Sequence, residues 1–242
     1  MKNTVYWNNK VDFSASEFLT LPLISLEQHL KAKEKQKQTN DLMHGYLACP
    51  AAKQTLSNTF VVRAGFDLTL SFENNSYSLD TKKVKDPRVK AEFLQNFLMV
   101  RSFKDRMVTF THDTLLFCEK NLNAIQMQPF LEDSEFAKNT GQIVGEYNIS
   151  KWYRPIQPTF YCYKDKIEIK EGDVLFYLMF RGDSDIALQE YELTEKMQKS
   201  TYSNTALKSY KAMKTMKYLY DFFTLRKLDK KLLKEIKNNL VE

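Results

Sequence analysis

Residues 164–180, with the sequence KDKIEIKEGDVLFYLMF, decide which kind of fold this chain can adopt. Ile167 and Ile169 alternate with charged residues, which is typical of a β-strand with one buried face. Glu171-Gly172-Asp173 is a turn signal, because glycine and aspartate favour the backbone conformations that turns need. The run from Val174 to Phe180 is apolar on both faces, which predicts a strand in the middle of a sheet. The stretch therefore predicts an antiparallel hairpin whose second strand is buried.

Further strand candidates lie on both sides of this stretch. From Phe66 to Phe72 apolar residues alternate with polar ones, and a turn and a return strand from Tyr77 follow. Other candidates, separated by turn signals, are TFVVR (59–63), FLMVRSF (97–103), MVTFTHDTLLFC (107–118), QIVGEYNIS (142–150) and QPTFYCY (157–163). Their spacing of about ten residues is typical of all-β domains. We therefore expect a mainly β fold, an antiparallel sandwich or barrel, with a β-clip-like arrangement as a further alternative.

Two segments carry a helical pattern instead. Residues 25–40 predict a very polar helix after Pro22, which we interpret as an N-terminal helical insertion. Beyond Thr194 the apolar residues recur at helical spacing and predict two helices within residues 204–240. The first stripe is Leu207, Tyr210, Met213, Met216, Leu219, Tyr220 and Phe223, and the second is Leu225, Leu228, Leu232, Ile236 and Leu240.

These patterns divide the chain into two parts. We expect a β-rich body over residues 1–195 and a basic amphipathic tail over residues 196–242, packed on the body or on a partner. The net charge of +6 belongs to the tail, which holds 12 Lys and Arg against 4 Asp and Glu. The body is nearly neutral, with 24 Lys and Arg against 26 Asp and Glu. A nucleic-acid partner, if there is one, is therefore expected to contact the tail.

The composition argues against several classes of protein. Hydrophobic residues make up 43% of the 242 residues, so the chain can bury a core. Only six residues are glycine, whereas phosphate-binding loops use glycines in clusters. No run comes close to about 18 uncharged apolar residues, so we expect no membrane-spanning segment and no contact with a membrane. The first residues contain no apolar signal core, so we do not expect secretion.

The residue types that most often carry chemistry are few and scattered. They are the cysteines Cys49, Cys118 and Cys162 and the histidines His29, His44 and His112. His112 and Asp113 are adjacent, so on a strand they point to opposite faces and cannot bind one metal ion together. The sequence predicts no metal site, no cofactor and no catalytic residue set, with the cysteines as reduced thiols.

Three short motifs resemble those of dUTP pyrophosphatases and the related dCTP deaminases. They are AGFDLTL (64–70), WYRP (152–155) and IKEGDVLFYLMF (169–180). The resemblance implies a structural or metal-linked carboxylate at Asp67 and a phosphate-side contact at Arg154. A Lys-rich helical tail stands where that family has a glycine-rich one. This likeness implies, as an alternative, nucleotide pyrophosphohydrolase or deaminase activity on a dUTPase-like β fold.

A second resemblance covers roughly residues 1–195. NTFVVRAGFDLTL (58–70) and the stretch from GEYNISKWYRP to the end of the opening segment (145–180) are similar to uncharacterised proteins of T4-like tailed phages of marine bacteria. These share an early β segment, a Lys-Trp-Tyr/Phe-Arg-Pro step and an Ile-Lys-x-Gly-Asp turn. The resemblance implies a viral origin and a place in the host cytoplasm or the virion.

The candidate binding residues are Trp152, Tyr153 and Arg154, together with Asp67 and Asp173. Aromatic rings beside a guanidinium can grip a carboxylate or a phosphate. The alternative for Trp152 to Arg154 is that the rings pack on the core and the arginine buttresses them.

We expect a non-enzymatic phage protein, either a virion component or a protein-interaction module. Its expected partners are other protein subunits, in a homo-oligomer or among virion proteins. Nucleotide chemistry and nucleic-acid binding through the basic tail are the two alternatives.

Overall fold

A computed structural model describes residues 2–9, 21–37, 49–73, 76–81, 98–111, 114–182, 184–210 and 215–241. The strands are β1 Asn3–Asn8, β2 Ile24–Ser25, β3 Thr59–Arg63, β4 Leu68–Glu73, β5 Ser76–Asp80, β6 Leu98–Ser102, β7 Met107–Phe110, β8 Leu115–Cys118, β9 Asn123–Met127, β10 Thr140–Gln142, β11 Gly145–Asn148, β12 Thr159–Cys162, β13 Lys166–Ile169, β14 Val174–Arg181 and β15 Ile186–Glu190. The helices are α1 Leu26–Lys37, α2 Pro50–Ser57, α3 Glu135–Asn139, α4 Glu195–Tyr210, α5 Met216–Leu225 and α6 Leu228–Lys237.

The strands of the described ranges form four sheets, whose orders are β11-β9-β14-β3-β2, β10-β12-β7-β6, β13-β4-β5 and β15-β1-β8. Every neighbouring pair is antiparallel except β1 and β15, which are parallel. Each sheet is open, and within the described residues none closes into a barrel. All four sheets contribute side chains to one main hydrophobic cluster. The predicted mainly β fold with C-terminal helices is confirmed.

Strand β14 is buried on both faces and lies at the centre of the five-stranded sheet. It pairs with β3 on one side and with β9 on the other. Phe176, Leu178 and Phe180 face the main cluster. Tyr177 faces a second layer, where it packs against Leu26 of α1 and other apolar residues of the two N-terminal helices. The apolar run is therefore covered by helices on one side of the sheet and by strands on the other, and its predicted burial as a central strand is confirmed.

The predicted hairpin over 164–180 is wrong, because its two strands belong to different sheets. Strand β13 pairs with β4, whereas β14 pairs with β3 and β9. The predicted turn is present, and Asp173 N–H donates to the Lys170 carbonyl at 3.0 Å. At Gly172 (φ 89°) this turn forms a corner between the sheets, and Gly172 N–H donates to the Ala64 carbonyl at 2.9 Å. Strand β13 has one exposed face, so it suits a small outer sheet. The apolar β14 gains more by burial in the centre.

Helix α1 is held in place by a capping box at its start and by side-chain hydrogen bonds to Glu132. At its start, Gln28 N–H donates to Ser25 Oγ at 3.1 Å and Ser25 N–H donates to Gln28 Oε1 at 3.2 Å, a capping box. Further along, Lys33 Nζ donates to Glu132 at 2.8 Å, and Tyr177 of β14 donates to the same carboxylate at 3.2 Å. Burial opposes the charge of Glu132, but its bonds to His29 and Lys33 prevail and lower the pKa of the carboxyl. Helix α1 is thereby held on the back of β14.

The C-terminal helices pack on the sheet that contains β1 and β8. Phe223 of α5 and Ile236 of α6 share a cluster with residues of that sheet, including Tyr6 and Phe117. The chain after α6 returns to the sheet, where Val241 N–H donates to the Glu190 carbonyl at 3.1 Å. The described part of the tail is thus docked on the body.

The helical pattern of the tail is only partly as expected. The structure has helices α4, α5 and α6, and α4 begins already at Glu195. Leu225, placed on the second apolar stripe, is 81% exposed because it ends α5 instead of entering α6. Four side chains of the first stripe lie outside the described part of the chain, namely Leu207, Tyr210, Met213 and Met216.

Replacing Phe176 or Phe180 of β14 with alanine should remove a ring that the main cluster encloses on all sides. We expect the free energy of unfolding to fall by about 3–5 kcal/mol, because the cavity adds to the lost transfer energy. Urea denaturation measures the change. The control is Leu225→Ala, which should stay within about 0.5 kcal/mol. A loss below about 1 kcal/mol at both phenylalanines would contradict the central position of β14.

Ile236→Ala tests the docking of the tail, because Ile236 is fully buried against the sheet. We expect it to lower the free energy of unfolding by about 2–5 kcal/mol. Thermal unfolding followed by circular dichroism at 222 nm and in the near ultraviolet should show one shared transition. Separate transitions for helix signal and aromatic signal would show that the tail unfolds independently of the body.

Candidate functional site

The segment 149–158 carries the chain from β11 of the five-stranded sheet to β12 of the four-stranded sheet. Its backbone is anchored at both ends. Ile149 N–H donates to the Leu122 carbonyl at 2.9 Å, and Ile156 N–H donates to the Thr114 carbonyl at 3.2 Å. Pro155 and Pro158 further restrict the backbone. The side chains of this segment are therefore held in fixed positions between the two sheets.

A cleft of about 260 Å³ opens beside this segment, between the two sheets. Strands β9 and β11 supply one wall, β6 and β12 supply another, and the segment 149–158 supplies the rest. The lining residues are Arg101, Gln126, Gly145, Glu146, Tyr147, Trp152, Arg154, Ile156, Gln157 and Thr159. A concave site that mixes aromatic rings with a few polar groups is typical of a binding site.

Arg154 is the central cation of this cleft. Its side chain is buried, with 7% of the residue exposed, and its guanidinium carbon lies 3.9 Å from the centre of the Trp152 ring. Among the described residues no carboxylate or carbonyl accepts a hydrogen bond from it. Burial lowers the pKa of Arg154 to about 10, against a smaller opposing effect of Tyr220. The guanidinium is still charged at neutral pH, so the cleft holds a largely buried cation whose counter-ion is not among the described residues.

Two further donors in the lining are without acceptors in the described part of the chain. They are the hydroxyl of Tyr147 and the indole Nε1–H of Trp152, both buried. The two rings lie 5.4 Å apart. The amide of Gln126 is a polar neighbour of the Tyr147 hydroxyl but lies outside hydrogen-bonding geometry. Burial raises the pKa of Tyr147, so its hydroxyl stays a donor.

Arg101 and Glu146 carry the other charges of the cleft. Arg101 Nε donates to Thr109 Oγ1 at 2.9 Å, which positions an exposed guanidinium on the four-stranded sheet. Glu146 accepts a hydrogen bond from Asn123 Nδ2 at 2.9 Å and lies 3.5 Å from Arg181. The carboxylate of Glu146 is therefore already compensated, whereas the guanidinium of Arg154 is not.

The tail contributes one side chain behind the cleft. Tyr220 of α5 accepts a hydrogen bond from the Asn148 backbone N–H at 3.0 Å, and its ring lies 6.5 Å from Trp152. Burial raises the pKa of Tyr220. A small hollow of about 30 Å³ lies under α5 and is also lined by Trp152 and Arg154. Helix α5 thus forms a backing for the aromatic and cationic residues of the cleft.

The structure brings together only some of the predicted binding residues. Trp152 and Arg154 line the cleft. Tyr153 turns the other way into the core, where its hydroxyl lies 3.1 Å from the hydroxyl of Tyr191. Burial raises the pKa of Tyr153, with the hydrogen bond to Tyr191 acting in the opposite direction. Tyr153 also lines the hollow of about 30 Å³ under α5, together with Trp152 and Arg154.

Asp67 and Asp173 lie at the corner between β13 and β14 and are not among the lining residues of the cleft. Asp67 accepts a hydrogen bond from Glu171 N–H at 2.8 Å, and Asp173 accepts one from Lys170 N–H at 2.9 Å. Burial raises the pKa of Asp173, and the charge of Asp67 adds to this effect. Both carboxylates have a visible structural role, which is to fix the turn.

Sequence reasoning missed Arg101, Tyr147 and Tyr220 as parts of the site. Arg101 comes from β6, Tyr147 from β11 and Tyr220 from α5, so no local motif joins them to Trp152. Tyr147 carried one usable signal, since its aromatic ring lies on a short strand five residues before Trp152.

No group of three metal-ligating side chains occurs among the residues that the structure describes. Two of the histidines, His44 and His112, lie outside this part. Asp113, the residue after His112, also lies outside it. Among the described helices none is long and apolar enough to cross a bilayer. A scan against protein-family models and a search of curated proteins each found no match to this chain.

Arg154→Met should stabilise the protein, because it replaces a buried uncompensated cation by an apolar side chain of similar length. We expect the free energy of unfolding to rise by about 1 kcal/mol or more, even after loss of the contact with Trp152. Urea denaturation at pH 7 measures this change.

The matched control is Arg106→Met. Arg106 donates to the Cys162 carbonyl at 3.0 Å and to Asp165 at 2.9 Å, so its loss should destabilise the fold by about 1–3 kcal/mol. If both substitutions destabilise the protein to a similar extent, Arg154 stabilises the fold and is not held there to bind a ligand.

Proposed function

We propose that this chain is a non-enzymatic interaction module of a tailed phage, which binds an anionic group of its partner in the cleft at Arg154. The proposal depends on the largely buried guanidinium of Arg154, for which no described residue is an acceptor. Beside it lie the Tyr147 hydroxyl and the Trp152 indole N–H, which also have no acceptor among the described residues. Such an arrangement costs stability unless a ligand compensates it. Binding sites commonly accept such costs.

The chemistry of the cleft supports binding rather than catalysis. Its uncompensated groups are hydrogen-bond donors and cations, which hold an anion in place. Hydrolysis needs a base directed at the substrate. Glu146 is the carboxylate among the described lining residues, and Asn123 and Arg181 already contact it. We therefore propose a role as a virion component or as a module that meets other proteins in the host cytoplasm.

Nucleotide hydrolysis or deamination is the first alternative, and the roles of Asp67 and Asp173 in the corner do not support it. We expect purified protein to leave dUTP and dCTP unchanged in the presence of magnesium, as measured by ion-exchange chromatography of the nucleotides. Hydrolysis that Asp67→Ala abolishes and Asp105→Ala preserves would overturn the proposal. Asp105 is a suitable control because it lies in the β6–β7 turn.

Nucleic-acid binding is the second alternative, and the outer face of α6 favours it. Lys230, Lys231 and Lys234 are exposed there. Lys237 also belongs to α6 but lies 3.1 Å from Glu119 of the body, so part of this charge is compensated. Retention on DNA at low salt that is lost on replacing these three lysines, and not on Arg154→Met, would favour this alternative.

Small anions test the proposed function directly. The chain has two tryptophans, so Trp7→Phe leaves Trp152 of the cleft as the reporter of intrinsic fluorescence. We expect acetate and inorganic phosphate to change this fluorescence in a saturable way, because Arg154 contacts the Trp152 ring. Arg154→Met in the same background should abolish saturation. An identical linear response in both proteins would refute binding at the cleft.

A further inference from the structure

The hydrogen-bond donors of the cleft that have no acceptor among the described residues indicate what kind of ligand it can bind. A guanidinium and an indole N–H only donate hydrogen bonds, and the buried Tyr147 hydroxyl has a proton to donate. The guanidinium of Arg154 therefore favours a ligand with two acceptor oxygens, whereas the donor atoms of Trp152 and Tyr147 are enclosed by the protein. A neutral amide or hydroxyl ligand would satisfy fewer of these donors and would leave the charge of Arg154 uncompensated.

The charges of the lining favour an anion. Arg101 and Arg154 are positive, and the carboxylate of the described lining, Glu146, lies 3.5 Å from Arg181. An anionic ligand therefore meets two guanidinium groups and a carboxylate that is already compensated.

The shape of the site favours a carboxylate. The planar guanidinium of Arg154 lies against Trp152, so its edges are free to form two parallel hydrogen bonds with a carboxylate. Phosphate sites commonly rely on backbone N–H groups of glycine-rich loops or helix N-termini. Here the described lining comes from strands and from the segment 149–158.

The surroundings of the cleft suit a peptide rather than a free small molecule. Met99 on β6 and Tyr161 on β12 are 47% and 41% exposed. Each lies two residues from a lining residue of the same strand, Arg101 and Thr159, so it points to the same side of the sheet. Apolar groups beside a charged cleft can hold the residues that flank an acidic side chain.

We propose that the cleft binds the carboxylate of a glutamate or aspartate side chain on a partner protein, with Arg154 as the bidentate anchor. This inference rests on the proposed function and specifies its ligand. A side chain is favoured over a chain terminus because the donors of the cleft are side chains, whereas terminal carboxylates are commonly captured by backbone N–H groups.

Isothermal titration calorimetry with four unlabelled heptapeptides tests the inference. All are N-acetylated and have the same apolar flanking residues. The first has a central glutamate and an amidated end, and the second has glutamine instead. The third has glutamine and a free carboxyl end, and the fourth has a central phosphoserine and an amidated end. We expect the glutamate peptide to bind at least about tenfold more tightly than each of the others.

Variants locate the binding. Arg154→Met should weaken the affinity for the glutamate peptide by about tenfold or more. Arg154→Lys should weaken it by less, because lysine keeps the positive charge but cannot form the two parallel hydrogen bonds of a guanidinium. Lys164→Met is the charge-matched control, because Lys164 is exposed, lies 3.6 Å from Glu135 and is not among the lining residues of the cleft. It should change the affinity by less than about twofold. Far-ultraviolet circular dichroism verifies that every variant is folded.

Four outcomes would overturn the inference. Equal binding of the glutamine peptide would remove the role of charge, and preference for the free carboxyl end would make a chain terminus the ligand. Tighter Arg154-dependent binding of the phosphoserine peptide would make phosphate the ligand and leave the proposed anion-binding function standing. Failure of all four peptides, with saturable binding of acetate in the fluorescence assay, would refute the peptide ligand alone.

Discussion

The burial of β14 on both faces is the constraint on which the rest of the fold depends. A strand that is apolar all round must be covered twice, so the main cluster lies on one face and α1 and α2 lie on the other. Its backbone groups need neighbours on both edges, which β3 and β9 supply. Once β14 takes this place, the more polar β13 has to leave the sheet, and the corner at Gly172 follows.

The cleft is a consequence of how the sheets are joined. The chain passes between the five-stranded and the four-stranded sheet at β9–β10, β10–β11 and β11–β12, and the last of these crossings carries Trp152 and Arg154. The buried cation of Arg154 lowers the stability of the folded state, whereas the apolar cluster around Phe176 raises it strongly. A well-packed centre thus permits an unfavourable group at the junction. The cleft lies directly against the core, because Tyr147 and Ile156 of its lining belong to the main cluster and Trp152 packs against that cluster.

Sequence patterns predicted where the strands lie better than which strands pair with each other. Alternation located β4 and β5, and the double-sided apolar run of β14 predicted its central burial, because these signals are local. The pairing of β13 depended on a choice between sheets, which residues 164–180 do not encode alone. Trp152 and Arg154, which the sequence predicted as binding residues, line the cleft. Arg101 and Tyr220 join it only because distant strands and a helix meet there. The inward turn of Tyr153 reflects its contact with Tyr191, far away in the chain.

The pairing of β1 has a consequence for the order of folding. Its strand neighbours are β8 and β15, whose residues follow more than a hundred positions later, and Asn8 Nδ2 donates to the Tyr191 carbonyl at 2.7 Å. During synthesis β1 leaves the ribosome long before either neighbour exists. Its first edge stays unpaired until β8 has emerged and its second edge until β15 has emerged. Such long-range pairing slows folding, so β1 is a segment whose apolar side chains stay exposed while the chain is being made.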